Sequence, residues 1–170
     1  LVPGEMGAAF LFRSDDRGRT WQTTRLDMDP AQRGFVLLAV DPRDPDHLLA
    51  RFTSAFADRI VQSFDGGQTF TDLTSLPSAE AIAWHPSGNP VVLGGAADPT
   101  LWRSTDGGRT FEVLRDDLAL GCAHYVGDVL WGCGGVEVET AVTRSFDHGE
   151  TFEPVMVFVE DIPVEGPCAA

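Results

Sequence analysis

One eight-residue motif occurs four times in the chain and constrains its fold more than any other feature. It reads Ser-x-Asp-x-Gly-x-Thr-aromatic, and the copies occupy residues 14–21, 63–70, 104–111 and 145–152. A recurrence of roughly 40 to 50 residues is typical of β-propeller blades and of helical arrays. Since no segment has the 3.6-residue apolar periodicity of a helix, the repeat favours propeller blades.

Each copy of the motif is expected to be a structural turn. Glycine supplies the positive φ of a tight turn, and the Asp carboxylate can accept hydrogen bonds from the amides of that turn. The aromatic residue that follows can fold back and pack its apolar ring against the turn. The alternating acids and distal Glu of an EF-hand calcium loop are absent. The residues with this expected structural role are Ser14, Asp16, Gly18, Thr20, Trp21, Ser63, Asp65, Gly67, Thr69, Phe70, Ser104, Asp106, Gly108, Thr110, Phe111, Ser145, Asp147, Gly149, Thr151 and Phe152.

Extended apolar runs flank every motif and predict an all-β propeller of four-stranded antiparallel blades. The strand before each motif has apolar residues on both faces, as Leu11 and Phe12 do in the first unit, and stacked blades bury both faces of a sheet. The chain contains about three and a half such blades. They are a half blade at 1–30 and blades at 31–78, 79–118 and 119–160, followed by a Pro-containing tail at 161–170.

The strands themselves can be placed from the same pattern. In the first two units they are expected at 8–14, 20–26, 35–41, 47–53, 58–64 and 69–75. In the last two units they are expected at 81–85, 90–95, 100–105, 110–115, 120–126, 129–134, 139–146 and 151–158.

The motif resembles the Asp-box, or BNR repeat, of bacterial-neuraminidase-type β-propellers. That family includes sialidases, sortilin-type receptor domains, xyloglucan-cleaving glycosidases and photosystem assembly factors. The stretch 35–50 contains a strand, then Asp-Pro-x-x-Pro, then a second strand. This arrangement is similar to the sortilin, xyloglucanase and photosystem-factor branch more than to sialidases. The resemblance implies that ligands bind on the face opposite the motif turns.

Composition excludes several classes of function. The formal net charge is −14, which disfavours binding to nucleic acid or to anionic membranes. All 12 cationic side chains are arginines, so the lysine needed by P-loop and Schiff-base chemistry is missing. No apolar run reaches the roughly 18 residues of a membrane span. No nucleic acid, membrane insertion or cofactor is therefore expected.

Acidic residues dominate the loops of the expected ligand face. Sialidases hold their substrate with three arginines and a Tyr–Glu pair. This chain has only one tyrosine, and the loops of the expected ligand face contain only two arginines, Arg33 and Arg115. A glycosidase for neutral sugars needs two carboxylates across one glycosidic bond. The carboxylate candidates are Asp58, Asp98 and Glu137, and the other ligand-face candidates are Asp29, Phe56 and Asp116.

Two classes of function stay open at this point. The first is a non-catalytic extracytoplasmic propeller that binds a protein, a peptide or a glycan. The second is a fragment of a glycoside hydrolase, xyloglucanase-like more than sialidase-like, acting on a neutral glycan. The loops are rich in acidic residues but contain no recognisable catalytic motif, which favours the non-catalytic propeller.

The cysteine spacing predicts one disulfide. Gly127-Asp128 reads as a two-residue hairpin turn, which places Cys122 directly opposite Cys133 on paired strands. Such a bridge indicates an oxidising compartment, periplasmic or extracellular. Two buried free thiols are the alternative. Cys168 has no partner that the sequence identifies.

The histidines have no metal-binding spacing, and no metal site is expected. His47, His85, His124 and His148 are expected in different structural contexts, and His85 before Pro86 reads as a turn residue. Arginine recurs just before the motif serine at Arg13, Arg103 and Arg144, which predicts a repeated rim or inter-blade hydrogen bond.

Three and a half blades leave the apolar face of a sheet uncovered at the ends. Complementary blades are therefore expected as partners, from the rest of a longer chain or from a second copy. A small irregular four-bladed ring patched by the C-terminal tail is the remaining alternative.

Overall fold

The computed structural model describes residues 7–54, 58–73, 79–96, 98–134 and 140–157. Within these ranges the chain forms fourteen β-strands, and no helix is present that could cross a membrane. The strands are β1 (Ala8–Arg13), β2 (Gln22–Asp27), β3 (Gln32–Asp41), β4 (Asp44–Ser54), β5 (Arg59–Ser63), β6 (Thr71–Asp72), β7 (Ala81–Trp84), β8 (Val91–Gly94), β9 (Leu101–Ser104), β10 (Glu112–Arg115), β11 (Leu120–Val126), β12 (Val129–Gly134), β13 (Thr140–Ser145) and β14 (Glu153–Val157).

These strands form four antiparallel sheets in the order of the chain. The pair β1–β2 is a half blade, and β3–β6, β7–β10 and β11–β14 are three complete meanders, called blades 2, 3 and 4 below. The prediction of four-stranded blades totalling about three and a half is confirmed. In blades 2 to 4 each motif joins the third and fourth strands, and in the half blade it joins β1 and β2. All four motif turns therefore share one face, called the Asp-box face.

The largest departure from the expected strands lies in blade 2. Asp41 pairs directly with Asp44, so β4 begins three residues earlier than the Asp-Pro-x-x-Pro pattern indicates. The remaining turn is only Pro42-Arg43. The fourth strand, β6, is short because only Thr71 and Asp72 pair with β5.

The first strands of the blades line up next to one another. Strand β7 of blade 3 contacts both β3 of blade 2 and β11 of blade 4. This arrangement places successive sheets side by side with their inner strands adjacent, as in a propeller. The turns after β3, β7 and β11 therefore come together on the Asp-box face.

The hydrophobic core lies between the blades rather than within one sheet. Every residue of β8 is buried, which fits a strand with a neighbouring blade on each side. Between blades 3 and 4, the buried residues Val92, Tyr125 and Leu130 pack together with Phe152. Complete burial of one such aliphatic side chain stabilises a fold by about 1.5–3 kcal/mol. Inter-blade contacts therefore supply the main stabilisation.

The half blade departs from the expectation that both faces are buried. Phe12 is 59% exposed, together with Phe10 at 54% and Trp21 at 60%. On the opposite side, Ala9 packs against the core of blade 2. The expectation is wrong for Phe12 because the described chain supplies a neighbouring blade on only one side of β1–β2.

Candidate functional site

Each motif is a closed hydrogen-bonded turn built on one serine and one aspartate. In blade 3, the Ser104 hydroxyl donates to Asp106 Oδ1 at 2.7 Å and accepts the amide of Gly108 at 2.8 Å. Asp106 Oδ1 also accepts the amides of Arg109 and Thr110 at 3.0 and 2.9 Å. The Thr110 hydroxyl donates to Asp106 Oδ2 at 2.6 Å. The carboxylate therefore serves the groups of its own turn.

The bonds made by the serine, the second glycine and the threonine recur in the other three motifs, and the pKa of each motif aspartate is lowered. The amide bond that Arg109 makes in blade 3 recurs at Arg19 and Gln68, whereas in blade 4 the Glu150 amide donates to the Asp147 carbonyl at 3.5 Å. Hydrogen bonds from Thr69 and Ser63 lower the pKa of Asp65 to about 2, and bonds from Thr151 and Ser145 do the same for Asp147. Burial raises the pKa of Asp106, but the bonds within its turn outweigh that effect and lower it to about 2. These carboxylates are thus held ionised, as hydrogen bonding to the charged form requires.

Two motifs lack a glycine where the backbone needs one. Gly66 and Gly107 have φ of 71° and 76°, in the left-handed region. At the same position, Arg17 has φ of 63° and His148 has φ of 58°. A residue with a Cβ is strained in this region, so the first and fourth turns carry a backbone cost that the other two avoid.

The second glycine of the turn is a contact point between blades. A Cβ on Gly67 would collide with Leu11 of the half blade, and one on Gly149 would lie 2.9 Å from Leu114 of blade 3. Both glycines are buried. In contrast, a Cβ on Gly18 would meet only Trp21 of its own turn. The absence of a side chain therefore matters for packing in the later turns and not in the first.

Two of the three arginines before the motif serine form the predicted bonds between units. Arg13 of the half blade pairs with Asp46 of blade 2. Arg103 of blade 3 pairs with Glu150 of blade 4 at 2.7 Å. Arg144 makes no such inter-blade bond and pairs instead at 3.3 Å with Glu153 of its own blade. For Arg144, no further blade follows among the described residues.

The acidic candidates predicted from the sequence lie in loops on the face opposite the Asp-box face. Those that the structure describes make different contacts. Asp58 Oδ1 accepts the amide of Ser54 at 3.0 Å, and its Oδ2 lies 3.5 Å from Arg51 Nε. Asp98 accepts the amide of Thr100 at 2.9 Å. In the described part of the chain, these two carboxylates are thus engaged by separate loops. Phe56 and Glu137 lie outside the described residues.

Asp29 and Asp116 also lie on exposed loop positions. Asp29 Oδ1 accepts the amide of Ala31 at 2.8 Å. Asp29 also lines a cleft of about 430 Å³ between the half blade and blade 2, with Phe52 and Arg59 on its wall. Arg59 is already paired with Asp72 at 2.7 Å. The described residues contain no cluster of three or more groups suited to holding a metal ion.

The expectation that the histidines have separate contexts is wrong for His85 and His148. His85 and His148 have ring centroids 5.4 Å apart, and the Tyr125 ring lies 4.9 Å from His85. His85 is also more than a turn residue, because its Nε2 lies 3.0 Å from Asp128 Oδ1 of blade 4. Trp84 is the last residue of β7 and Tyr125 is the last but one of β11, so aligning the repeats could have revealed this meeting of blades 3 and 4.

Comparison with known proteins agrees with the fold and the turns. A family model of the BNR/Asp-box repeat matches residues 12–23. The chain is a β-propeller segment that carries BNR/Asp-box repeats. Xyloglucanase from a Paenibacillus species is 29% identical over 135 residues, which cover 61% of this chain and 13% of that protein.

Two solved structures share the fold of this BNR-type propeller. The GH74 enzyme of Niastella koreensis superimposes with a TM-score of 0.66 and 19% identity, over 85% of this chain and 26% of that one. YCF48 from Cyanidioschyzon merolae gives 0.54 and 16%, over 74% of this chain and 38% of that one. The chain spans well under half of the length of each relative.

One covalent bond adds to this BNR-type architecture. Cys122 and Cys133 form a disulfide between β11 and β12 in blade 4. They are direct partners in the strand register, as the two-residue turn at Gly127-Asp128 predicts. Cys168 lies outside the described residues.

Proposed function

We propose that this propeller segment is a non-catalytic binding module. The observation that carries the proposal is the engagement of Asp58 and Asp98 by their own loops. Retaining and inverting glycosidases need two carboxyl groups facing one sugar bond, roughly 5 to 9.5 Å apart. A carboxylate that accepts a loop amide and pairs with Arg51, as Asp58 does, is suited to fixing a loop.

The ligand in this proposal is a protein, a peptide or a glycan bound on the face opposite the Asp-box face. Asp29, Phe56 and Asp116 are the residues proposed to contact it. Exposed carboxylates in these loops favour a ligand with hydroxyl, amide or cationic groups over an anionic one, because like charges repel. No nucleic acid, membrane or cofactor has a part in this function.

Complementary propeller blades are the second proposed partner, from another part of a longer chain or from a second copy. The support comes from comparing the four motif turns. Gly67, Gly108 and Gly149 are buried, whereas Gly18 is exposed and Trp21 beside it is 60% exposed. An apolar surface that is covered in each later unit favours a blade as its occupant.

An extracytoplasmic location, periplasmic or secreted, is also part of the proposal. The disulfide between Cys122 and Cys133 supports it, because disulfides persist in oxidising compartments.

The alternative is a fragment of a glycoside hydrolase acting on a neutral glycan. The relationship to a xyloglucanase favours it. In that case Asp58, Asp98 and Glu137 are the catalytic candidates, completed by residues of other blades.

One set of assays separates the two functions. Xyloglucan oligosaccharides and other neutral glycans are incubated with the protein, and both binding heat and product release are measured. A binding module gives heat without product. Release of sugar that is lost in Asp58→Ala and Asp98→Ala, but retained in Glu112→Ala as an exposed control, would establish the hydrolase instead.

Light scattering tests the need for complementary blades. The purified chain is expected to self-associate, or to form a complex when a polypeptide containing the complementary blades is added. A monomer that unfolds cooperatively and ignores added blades would contradict this part of the proposal and favour the small ring.

A further inference from the structure

A buried histidine lies at the joint between blades 2 and 3. His47 on β4 is 0% exposed, and neither ring nitrogen has a hydrogen-bond partner among the described residues. Buried polar groups are nearly always hydrogen-bonded, because an unsatisfied one loses its interaction with water. A fully buried imidazole without a hydrogen bond therefore needs an explanation.

Aromatic rings from both blades enclose this imidazole. Phe64 of blade 2 stacks on it with a centroid distance of 4.3 Å and an angle of 22°. Trp84 of blade 3 meets it edge-on at 5.0 Å and 88°. Arg109 of blade 3 reaches back over Phe64, 5.5 Å from the ring centre. The histidine thus fills the joint through its apolar faces.

Three charged groups act on the ring. Asp41 from β3 places Oδ2 3.5 Å from Nδ1, at the outer limit of a hydrogen bond, and Asp44 at the start of β4 is a weaker attraction. Arg109 from the blade 3 turn opposes a positive charge on the ring. Burial is the largest effect, and it lowers the pKa of His47 despite the two aspartates. The packed joint therefore favours the neutral ring.

We propose that the joint between blades 2 and 3 is a proton-sensitive hinge, in which protonation of His47 separates Trp84 and Arg109 from blade 2. A charged imidazolium cannot keep both nitrogens away from water and still lie beside Arg109. Opening the joint hydrates the ring. Two hydrogen bonds also join blades 2 and 3, from Arg43 to the Ser87 carbonyl at 2.9 Å and from Arg51 to the Ala79 carbonyl at 3.2 Å. The blades stay connected at these points.

The neighbouring joint provides an internal control. Between blades 3 and 4, His85 Nε2 lies 3.0 Å from the carboxylate of Asp128, and Nδ1 lies 2.7 Å from Ser87 Oγ. Both ring nitrogens of His85 thus have polar partners within 3.0 Å, which those of His47 lack. Acid should therefore open the joint at His47 and leave the joint at His85 closed.

Amide hydrogen exchange of the whole chain between pH 8 and 5, corrected for intrinsic rates, tests the hinge. Below about pH 6.5, protection of β4 and β7 is expected to fall by up to tenfold per pH unit, the limit for one linked proton. Protection of β12 should stay unchanged. His47→Phe keeps the stacked ring and should remove the fall, whereas His124→Gln, at an exposed histidine, should retain it.

Two results would overturn the hinge. In one, the amide protection of β4 and β7 in the natural chain stays unchanged as the pH falls, while NMR shows that the His47 ring is protonated. The other is the same acid-dependent fall in His47→Phe. If that variant does not fold, Asp41→Asn decides the matter, since it keeps an oxygen for the Arg43 amide but removes the attraction to Nδ1. The total fall in protection should then be larger, and a smaller fall would contradict the proposal.

Discussion

Cys122 and Cys133 lie directly opposite each other on β11 and β12, with Cα atoms 5.1 Å apart and a disulfide between them. The bond closes a short hairpin in blade 4. Cross-links of this kind stabilise a protein mainly by restricting the unfolded chain. The bridge thus ties the first two strands of the blade covalently.

Replacing both cysteines by serine is expected to lower the free energy of unfolding by about 2–3 kcal/mol, the value for a loop of this size. Urea unfolding of the variant and of the natural chain, with and without reductant, measures the difference. The reductant should affect only the natural chain. Two alkylatable thiols at these positions in the unreduced protein would show that the bridge is absent.

Asp106→Ala is expected to lower the free energy of unfolding by about 1–2 kcal/mol, since it leaves amide donors of the blade 3 turn without an acceptor. Thermal or urea unfolding measures the change. Asp116→Ala, at an exposed loop position, is the matched control and should change stability by less than about 0.5 kcal/mol. Loss of ligand binding in Asp106→Ala at unchanged stability would mean that the turn binds ligand directly.

The motif aspartates also predict loss of stability in acid. Asp65, Asp106 and Asp147 have a pKa of about 2 in the folded protein, below the ordinary value near 3.9. The unfolded chain therefore binds more protons between these values. The resulting stabilisation is present above about pH 4 and is lost as the pH falls to about 2.

Unfolding midpoints measured from pH 5 to pH 2 check this dependence. Asp106→Asn should show a shallower fall across that range, because one of the titrating motif aspartates is gone. A slope equal to that of the natural chain would contradict the assignment for Asp106.

Arg17→Gly is expected to raise the free energy of unfolding by about 0.5–1 kcal/mol. Arg17 has φ of 63°, where a Cβ is unfavourable and glycine is not. Gly107→Ala, at the equivalent position in blade 3, should have the opposite effect. Urea unfolding of both variants measures the pair, and a destabilised Arg17→Gly would show that the arginine side chain makes a compensating contact.

The local part of this architecture follows from the sequence because it depends on short-range bonds. Ser104, Asp106, Gly108 and Thr110 lie within seven residues, and the side chains of Ser104, Asp106 and Thr110 bond to one another and to amides of that turn, including the Gly108 amide. Any copy of the motif therefore folds in the same way. The register of Cys122 and Cys133 is predictable for the same reason, because a two-residue turn fixes every pair that follows it.

Contacts between blades could not be predicted from the local sequence in this way. The burial of His47, the meeting of His85 with His148, and the exposure of Phe12 depend on which sheet lies alongside, not on the local pattern. The acidic loop candidates are a similar case, since Asp58 is engaged by Arg51 through a contact that has no sequence signature.

The sequence by itself thus determined the repeat, the turns, the strand order and the disulfide register, all of which depend on neighbouring residues along the chain or on one hairpin. Only the tertiary structure decided which apolar residues are covered and which histidines and carboxylates have partners. The physical reason is that burial and desolvation depend on the neighbouring blade, and a four-stranded unit carries no local signal of what packs against it.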